Sequence, residues 1–214
     1  MHDDSSVLSL REHLGHDWQA HAVSFAIPKG MALDAGAPVR VRDLTYGLDL
    51  DGQVDNDGRV HFFTDLWADE ERLFAIEPAV RAARAPLVVK EQADAFVFDT
   101  GRLTLAVPRL GADTAPTFAP PPLLWLRGPQ GVQRGHSAWA SGVTVASAQS
   151  RVTARGPVFA EAEIQYTFGN GGRYVVRVRV YAGAPLALVP EDKSAGTAGA
   201  WPFSLSEGMA PDRV

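Results

Sequence analysis

The chain has 214 residues, a hydrophobic share of 46%, and 20 Lys and Arg against 25 Asp and Glu, for a net charge of −5. Interspersed charges of both signs leave no basic footprint for nucleic acid, and zero cysteines exclude a disulfide framework, a thiol nucleophile and any Cys-ligated metal site. No apolar run approaches the ~18 residues of a transmembrane helix. Met1–Ser6 has neither a basic n-region nor an apolar h-region, so the expectation is a chain without an export signal that stays where it is made.

Residues 1–17 are polar and read as a flexible leader carrying a short helix, Val7 to Leu14, stopped by Gly15. From Trp18 short strands alternate with turns. His21–Ile27 is a strand ended by Pro28-Lys29-Gly30, and Val39–Arg42 alternates. Tyr46–Leu50 leads into a turn at Asp51-Gly52, Asp55–Gly58 is a second turn, and Arg59–Leu66 is a strand. Trp67–Glu71 reads as one helical or 3-10 turn before a strand at Arg72–Ile76. That spacing predicts a small β-barrel over 18–80.

Residues 81–86, within a small-residue, basic stretch bounded by Pro78 and Pro86, read as a linker. Strands resume at Leu87–Lys90, Ala95–Phe98 and Arg102–Val107, with Thr100-Gly101 as the turn between the last two. Ala115–Pro122 is extended and feeds Leu123–Leu126; Gly128–Trp139 reads as loop; Val143–Ala146 and Arg151–Ala154 follow as strands. The tail holds a strand at Leu186–Val189, a turn at Glu191-Asp192-Lys193, and Trp201–Leu205. Residues 87–214 are therefore expected to form an antiparallel β-sandwich. Arg213-Val214 reads like the start of a further strand, so a longer protein with a carboxyl-terminal domain is expected.

The clearest local pattern is a long hairpin over Arg155–Pro185. Val158, Ala160, Ala162, Ile164, Tyr166 and Phe168 share one face, and Tyr174, Val176, Val178 and Val180 share another. Gly169–Gly172 supplies residues that tolerate positive φ. Apolar faces coincide only if paired residue numbers sum to an even value. A sum of 340 sets Glu163 opposite Arg177 and Glu161 opposite Arg179, with a three-residue loop at 169–171. Such pairs contribute roughly 0.2–1 kcal/mol each. The polar face is expected to be a solvated ladder of ion pairs that neutralises Arg177 and Arg179.

An ordered series runs through the chain: Ser24–Gly30, Val39–Asp43, Gln53, Val60-His61-Phe62-Phe63, Thr100–Leu103, Arg155-Gly156-Pro157-Val158 and Tyr181–Pro185. Over residues 18–214 it resembles the amino-terminal portion of the exo-rhamnogalacturonan lyase-like family. The resemblance implies a small barrel of the RIFT type, then a central β-sandwich, with an α/α toroid to follow. It also implies a uronate-containing glycan as partner, and it carries over no catalytic residue, because no catalytic motif of the family is matched.

Candidate chemistry is sparse. Gly135-His136-Ser137-Ala138-Trp139 comes close to a nucleophile elbow, but Trp139 stands where the second glycine is needed, and no strand–helix junction is predicted; a surface loop is the better reading. Asp49, Asp51, Asp55 and Asp57 could offer oxygens to calcium, yet in the EF-hand frame the first and twelfth ligands would be Gln53 and Thr64, so hairpin turns explain them better. His13, His16 and His21 sit close in sequence but read as solvent-exposed rather than as a zinc site, and His61 as a strand residue without function. No metal or cofactor is assigned.

Tryptophan is the feature most compatible with carbohydrate, because a sugar's C–H face packs on an indole that also offers one N–H. Of Trp18, Trp67, Trp125, Trp139 and Trp201, the loop-like Trp67 and Trp139, with Arg134 and His136 beside Trp139, form the predicted substrate-binding set; Trp125 and Trp201 read as core. The leading expectation is a non-catalytic β portion of a carbohydrate-active enzyme, acting as scaffold and cleft wall. A stand-alone carbohydrate-binding module and a structural β domain of a larger assembly are the alternatives, with no nucleic acid and no membrane partner in any of them.

Overall fold

The computed structural model describes residues 7–79, 87–111, 119–140, 144–194 and 200–206. Their regular structure is all-β, apart from one 3-10 turn at Pro129–Gly131. A curled half-barrel sheet comes first, and the antiparallel sheets of a sandwich follow. The chain divides into two compact units, one comprising Met1–Ala85 with Gly156–Val158 and the other Pro86–Arg155 with Phe159–Val214. The predicted linker at 81–86 lies outside the described residues.

The first unit holds β1 (Val7–Arg11), β2 (Trp18–Ala26), β3 (Pro38–Asp43), β4 (Leu48–Val54), β5 (Arg59–Leu66) and β6 (Glu71–Pro78). They form one antiparallel sheet in the order β1-β6-β3-β4-β5-β2, so β1 and β2 are its two edges. Alternation places the core: Val39, Val41 and Asp43 of β3 are buried while Arg40 and Arg42, which alternate with them, are exposed. Phe62 sits at the centre, stacked on Phe25 at 5.9 Å and edge-on to Phe74 at 4.9 Å between centroids.

Two local expectations change here. Val7–Arg11 is a strand, not a helix, and pairs with β6 from Val7↔Ala75 to Arg11↔Glu71, so the leader reading fails from residue 7 onward. A helix of eight residues is marginal in water, whereas the open edge of β6 offers a full ladder of hydrogen bonds. Asp51-Gly52 is not a turn but the middle of β4; the reversal lies at 44–47. A Cβ on Gly52 would come 2.7 Å from Val39 Cγ2 and 2.8 Å from Val41 Cγ2, so glycine serves close packing there. The tight turn expected near Trp67 is present, closed by Glu70 N donating to Trp67 O at 3.0 Å.

The second unit holds β7 (Val88–Glu91), β8 (Ala95–Asp99), β9 (Thr104–Pro108), β10 (Trp125–Arg127), β11 (Gln133–Ser137), β12 (Val145–Arg155), β13 (Phe159–Phe168), β14 (Arg173–Tyr181), β15 (Ala187–Leu188), β16 (Glu191–Lys193) and β17 (Phe203–Leu205). One sheet runs β17-β11-β10-β9-β8-β7 and the other β12-β13-β14-β15, with β16 also on β14. Half-buried Ser150 links the sheets, its Oγ donating to Pro108 O at 2.7 Å and accepting from Leu110 N at 2.8 Å. Thr100 Oγ1 donates to Ala184 O at 2.8 Å, and Tyr166 Oη to Pro120 O at 3.0 Å.

The hairpin register is the one predicted: Glu161↔Arg179, Glu163↔Arg177 and Phe159↔Tyr181 all sum to 340. Gly171 turns the loop at φ +82°. Three readings are corrected. Gly128–Trp139 is not simply loop, since β11 lies within it, and Glu191-Asp192-Lys193 is a strand on β14. The two segments before the hairpin are one eleven-residue strand, β12, with two register shifts. Bulges break the alternation that pattern reading relies on, which is why β12 looked discontinuous.

The segment after β1 is anchored by Glu12, which is 4% exposed. Its carboxylate accepts from Leu14 N and Gly15 N at 2.7 Å, Asp69 N at 3.2 Å and Trp18 Nε1 at 3.3 Å. Burial opposes ionisation, but the four N–H donors outweigh it and hold the group at about 2, below its ordinary 4.5. A depressed carboxylate stabilises the fold fully above the unfolded value and loses that contribution as pH falls toward the folded one. Thermal denaturation followed from pH 6 to pH 2 should therefore show a loss of stability concentrated below about 4.5 that is absent in Glu12→Gln, with the variant already less stable at pH 6.

Candidate functional site

The predicted substrate-binding residues fall in both units, Trp67 in the first and Arg134, His136 and Trp139 in the second. Trp139 is half-buried, its Nε1 donating to Ala119 O at 2.9 Å. Its ring meets Tyr166, Phe168 and Tyr174 edge-on, at 5.1, 5.9 and 6.4 Å. Trp201 joins the same aromatic cluster by donating to Tyr174 Oη, and burial pushes the Tyr166 phenol well up. Trp139 thus packs as a core residue, and its indole N–H is already used. His136 is exposed on β11, opposite Trp125, whose ring carries the Arg127 guanidinium 4.2 Å from its centroid. A register shift puts Gln133 rather than Arg134 opposite Arg127, and the Arg134 side chain lies beside Gly128. Trp67 is 45% exposed at a turn of the first unit. Ser137 is buried in a strand and donates to Leu123 O, so the elbow-like motif presents no nucleophile.

What the second unit does assemble is a polar groove of about 200 Å³ on the hairpin sheet, lined by Gln149, Ser150, Arg151, Glu163 and Gln165. β12 supplies Gln149 opposite Gln165 and Arg151 opposite Glu163, and β14 adds Arg177 on the far side of Glu163. Glu163 is 7% exposed, not solvated as the ladder reading expected, because β13 is buried along most of both faces. Arg151 Nη2 and Gln165 Nε2 donate to its Oε1 at 3.1 and 2.8 Å, and Arg177 Nε donates to Oε2 at 3.2 Å. Burial works against the charge, but the Gln165 amide and the Arg177 and Arg151 guanidiniums outweigh it and hold the carboxyl below its ordinary value.

The polarity of this network is fixed. Gln149 Nε2 donates to Gln165 Oε1 at 3.1 Å and Gln165 in turn donates to Glu163, leaving Gln149 Oε1 as a terminal acceptor. Arg151, with its side chain 71% exposed, spends one N–H on Glu163 and has no other partner among the described residues. Two guanidiniums share the Glu163 carboxylate, but only Arg151 and Glu163 line the groove, so its formal charge is balanced while Arg151 keeps unspent N–H donors. The surface therefore offers donors for an oxyanion beside an acceptor for a hydroxyl.

The remaining titratable clusters are occupied structurally. His61 Nε2 lies 2.7 Å from Asp55 Oδ2, both buried, and Asp55 also accepts from Asp57 N and Arg59 N at 2.9 Å, closing its turn. Asp49 faces Arg40 at 3.7 Å. Buried Arg72 pairs with Asp43 and lies over the Tyr46 ring. Among the described residues no group of three or more His, Asp or Glu is placed to hold a metal ion.

No protein-family model matches the sequence, and no curated protein matches it. Sequence reasoning passed over the glutamine and arginine row because exposed polar residues on a strand look alike whether or not they are networked. The packing of Trp139 gives a direct expectation. Trp139→Ala should cost about 3 kcal/mol of stability in chemical denaturation.

Proposed function

We propose that this chain is a non-catalytic β portion of a carbohydrate-active protein and that its hairpin sheet recognises an acidic saccharide, a uronate-containing glycan of the kind that the resemblance to exo-rhamnogalacturonan lyase-like proteins implies. The observation that carries the reading is the groove at Gln149, Arg151, Glu163 and Gln165, with its fixed donor–acceptor order and the unspent N–H donors of Arg151. A uronate presents a carboxylate and neighbouring hydroxyls on one rigid ring. The carboxylate fits the free edge of the Arg151 guanidinium, and a hydroxyl fits Gln149 Oε1. Glu163 acts as a positioning residue, holding Arg151 and Arg177 apart on either side of it. The barrel-plus-sandwich succession fits a scaffold and cleft-wall role beside a carboxyl-terminal catalytic domain, and the reading assigns no catalytic residue to this chain.

Isothermal titration with galacturonate-containing oligosaccharides and with their carboxyl-reduced counterparts tests this. The acidic ligand should bind and the reduced one should bind far more weakly. Arg151→Gln, at an exposed position, should weaken binding roughly ten- to a hundredfold, the effect of removing a charged hydrogen bond worth about 1.5–3 kcal/mol. Equal affinity for both ligands, or an Arg151→Gln variant that binds like the parent, would sink the proposal. Ultraviolet absorbance from a newly formed C4–C5 double bond would overturn the non-catalytic role.

A further inference from the structure

The exposed apolar side chains of the first unit gather at one end of its sheet. Among the described residues of that unit, the large hydrophobics left 40 to 70% exposed are Leu14, Leu44, Tyr46, Leu48, Trp67 and Leu73. The register explains the gathering. Arg11 pairs with Glu71, Asp43 with both Leu48 and Phe74, and Trp18 with Leu66, so the turns 12–17, 44–47 and 67–70 all leave the sheet at the same end. Single exposed apolar side chains are ordinary on a surface, whereas a group of them at one place marks an interaction surface. Turn chemistry does not ask for them. The reversal at 44–47 needs Gly47, at φ +70°, and has no need of Leu44 or Tyr46.

The three turns are bonded to one another and to the strands beside them. Leu44 N donates to Leu73 O at 2.8 Å, and Leu73 N to Thr45 Oγ1 at 3.0 Å. Glu70 accepts from Tyr46 Oη and, at 2.8 Å, from Trp67 N, tying the second turn to the third. Asp17 accepts from Ala68 N at 2.9 Å and Glu12 from Asp69 N at 3.2 Å, tying the first turn to the third. At the far foot of the first turn, Gln19 and Ala20 stand against Asp65 alone, a bulge that brings Trp18 and His21 together with ring centroids 5.1 Å apart. Ala20, at φ +45°, a left-handed conformation rare outside glycine, is held there by its N–H donating to Asp65 Oδ1 at 2.7 Å. A surface fixed in this way loses little further freedom when something binds to it.

Charge selects the occupant. The three turns carry four carboxylates, Glu12, Asp17, Asp69 and Glu70, and no Lys or Arg. The adjoining strand ends add no excess of cations, since Arg11 stands opposite Glu71 and buried Arg72 pairs with Asp43. Three of the four carboxylates accept hydrogen bonds from the turns, whereas that of Asp69, exposed at φ +61°, has no partner among the described residues. Such an end repels a second copy of itself and an anionic bilayer alike, and attracts a cation. Tyr and Trp are the residue types on which protein contacts most often depend. We infer that this end of the first unit docks a basic, apolar segment of a partner protein, with the apolar side chains of that segment against Tyr46 and Trp67 and an Arg or Lys at Asp69. The inference stands apart from the glycan reading, which concerns the other unit.

A short amphipathic Leu/Lys peptide is a suitable probe. Its controls are a Lys/Ser peptide of the same charge and a Leu/Glu peptide of the same apolar content, each titrated into the full chain by calorimetry. The Leu/Lys peptide should occupy one site, and both controls should bind roughly tenfold more weakly or worse. Trp67→Ser, at an exposed position, should weaken the Leu/Lys peptide roughly tenfold. Asp69→Asn, which keeps a residue type that tolerates positive φ, should weaken it several-fold and flatten its dependence on salt. Equal binding of the Leu/Lys and Lys/Ser peptides, no binding at millimolar peptide, or Trp67→Ser and Asp69→Asn variants that both bind like the parent would each overturn the assignment. So would self-association in sedimentation, or adsorption to phosphatidylserine vesicles, that Trp67→Ser abolishes, since either would give this end to a second copy or to a bilayer.

Discussion

The second unit turns on a constraint set by β13. This strand is buried on nearly all of both faces yet carries two carboxylates, Glu161 and Glu163. A buried charge left without a partner costs several kcal/mol, so only an alignment that supplies cations to both is acceptable. Arg179 Nε reaches Glu161 at 2.7 Å with Thr153 Oγ1 at 2.9 Å, and Arg151 and Arg177 share Glu163. A slip of one residue would strand both carboxylates and turn Ile164 and Tyr166 away from the core. Charge and packing therefore demand the same register. The groove follows from it, because the same pairing that satisfies Glu163 sets Arg151, Gln149 and Gln165 in a row.

That logic also explains which parts of the molecule were legible from residues alone. The β13–β14 hairpin was readable in full, including its register, since alternation, turn chemistry and charge complementarity agreed. The all-β class and most strands of the first sheet were readable for the same reason. Where only one signal was present the reading slipped. Val7–Leu14 has apolar spacing that suits a helix or a strand, and the free edge of β6 decided the matter. Asp51-Gly52 carries turn chemistry, but the glycine is there to admit two valine side chains. Arg134 and His136 seemed to lie in a loop because Gly128, Pro129, Gly131 and Gly135 crowd a segment that nevertheless pairs on both sides.

The sites were less legible than the fold, for a physical reason. Trp139 and Trp67 were singled out as loop aromatics, and loop position says little about where a ring turns. Trp139 turned inward to Tyr166, Phe168 and Tyr174. Trp18 and His21 were invisible as a pair because their odd spacing separates them in any regular strand. Only the bulge, which sequence alternation does not reveal, makes them neighbours. The glutamine–arginine row depends on β12 meeting β13 in one register despite two shifts, and that is a property of the pairing rather than of either strand.

The same bulge has a bearing on solubility. β2 ends the first sheet, and a long regular edge strand is a template onto which a second molecule can zip its own strand and begin a fibril. Doubling residues against Asp65 and twisting Ala20 into a left-handed conformation breaks the even sequence of backbone donors and acceptors that such recruitment requires. The irregularity at Gln19-Ala20 thus guards this edge of the described sheet against self-assembly.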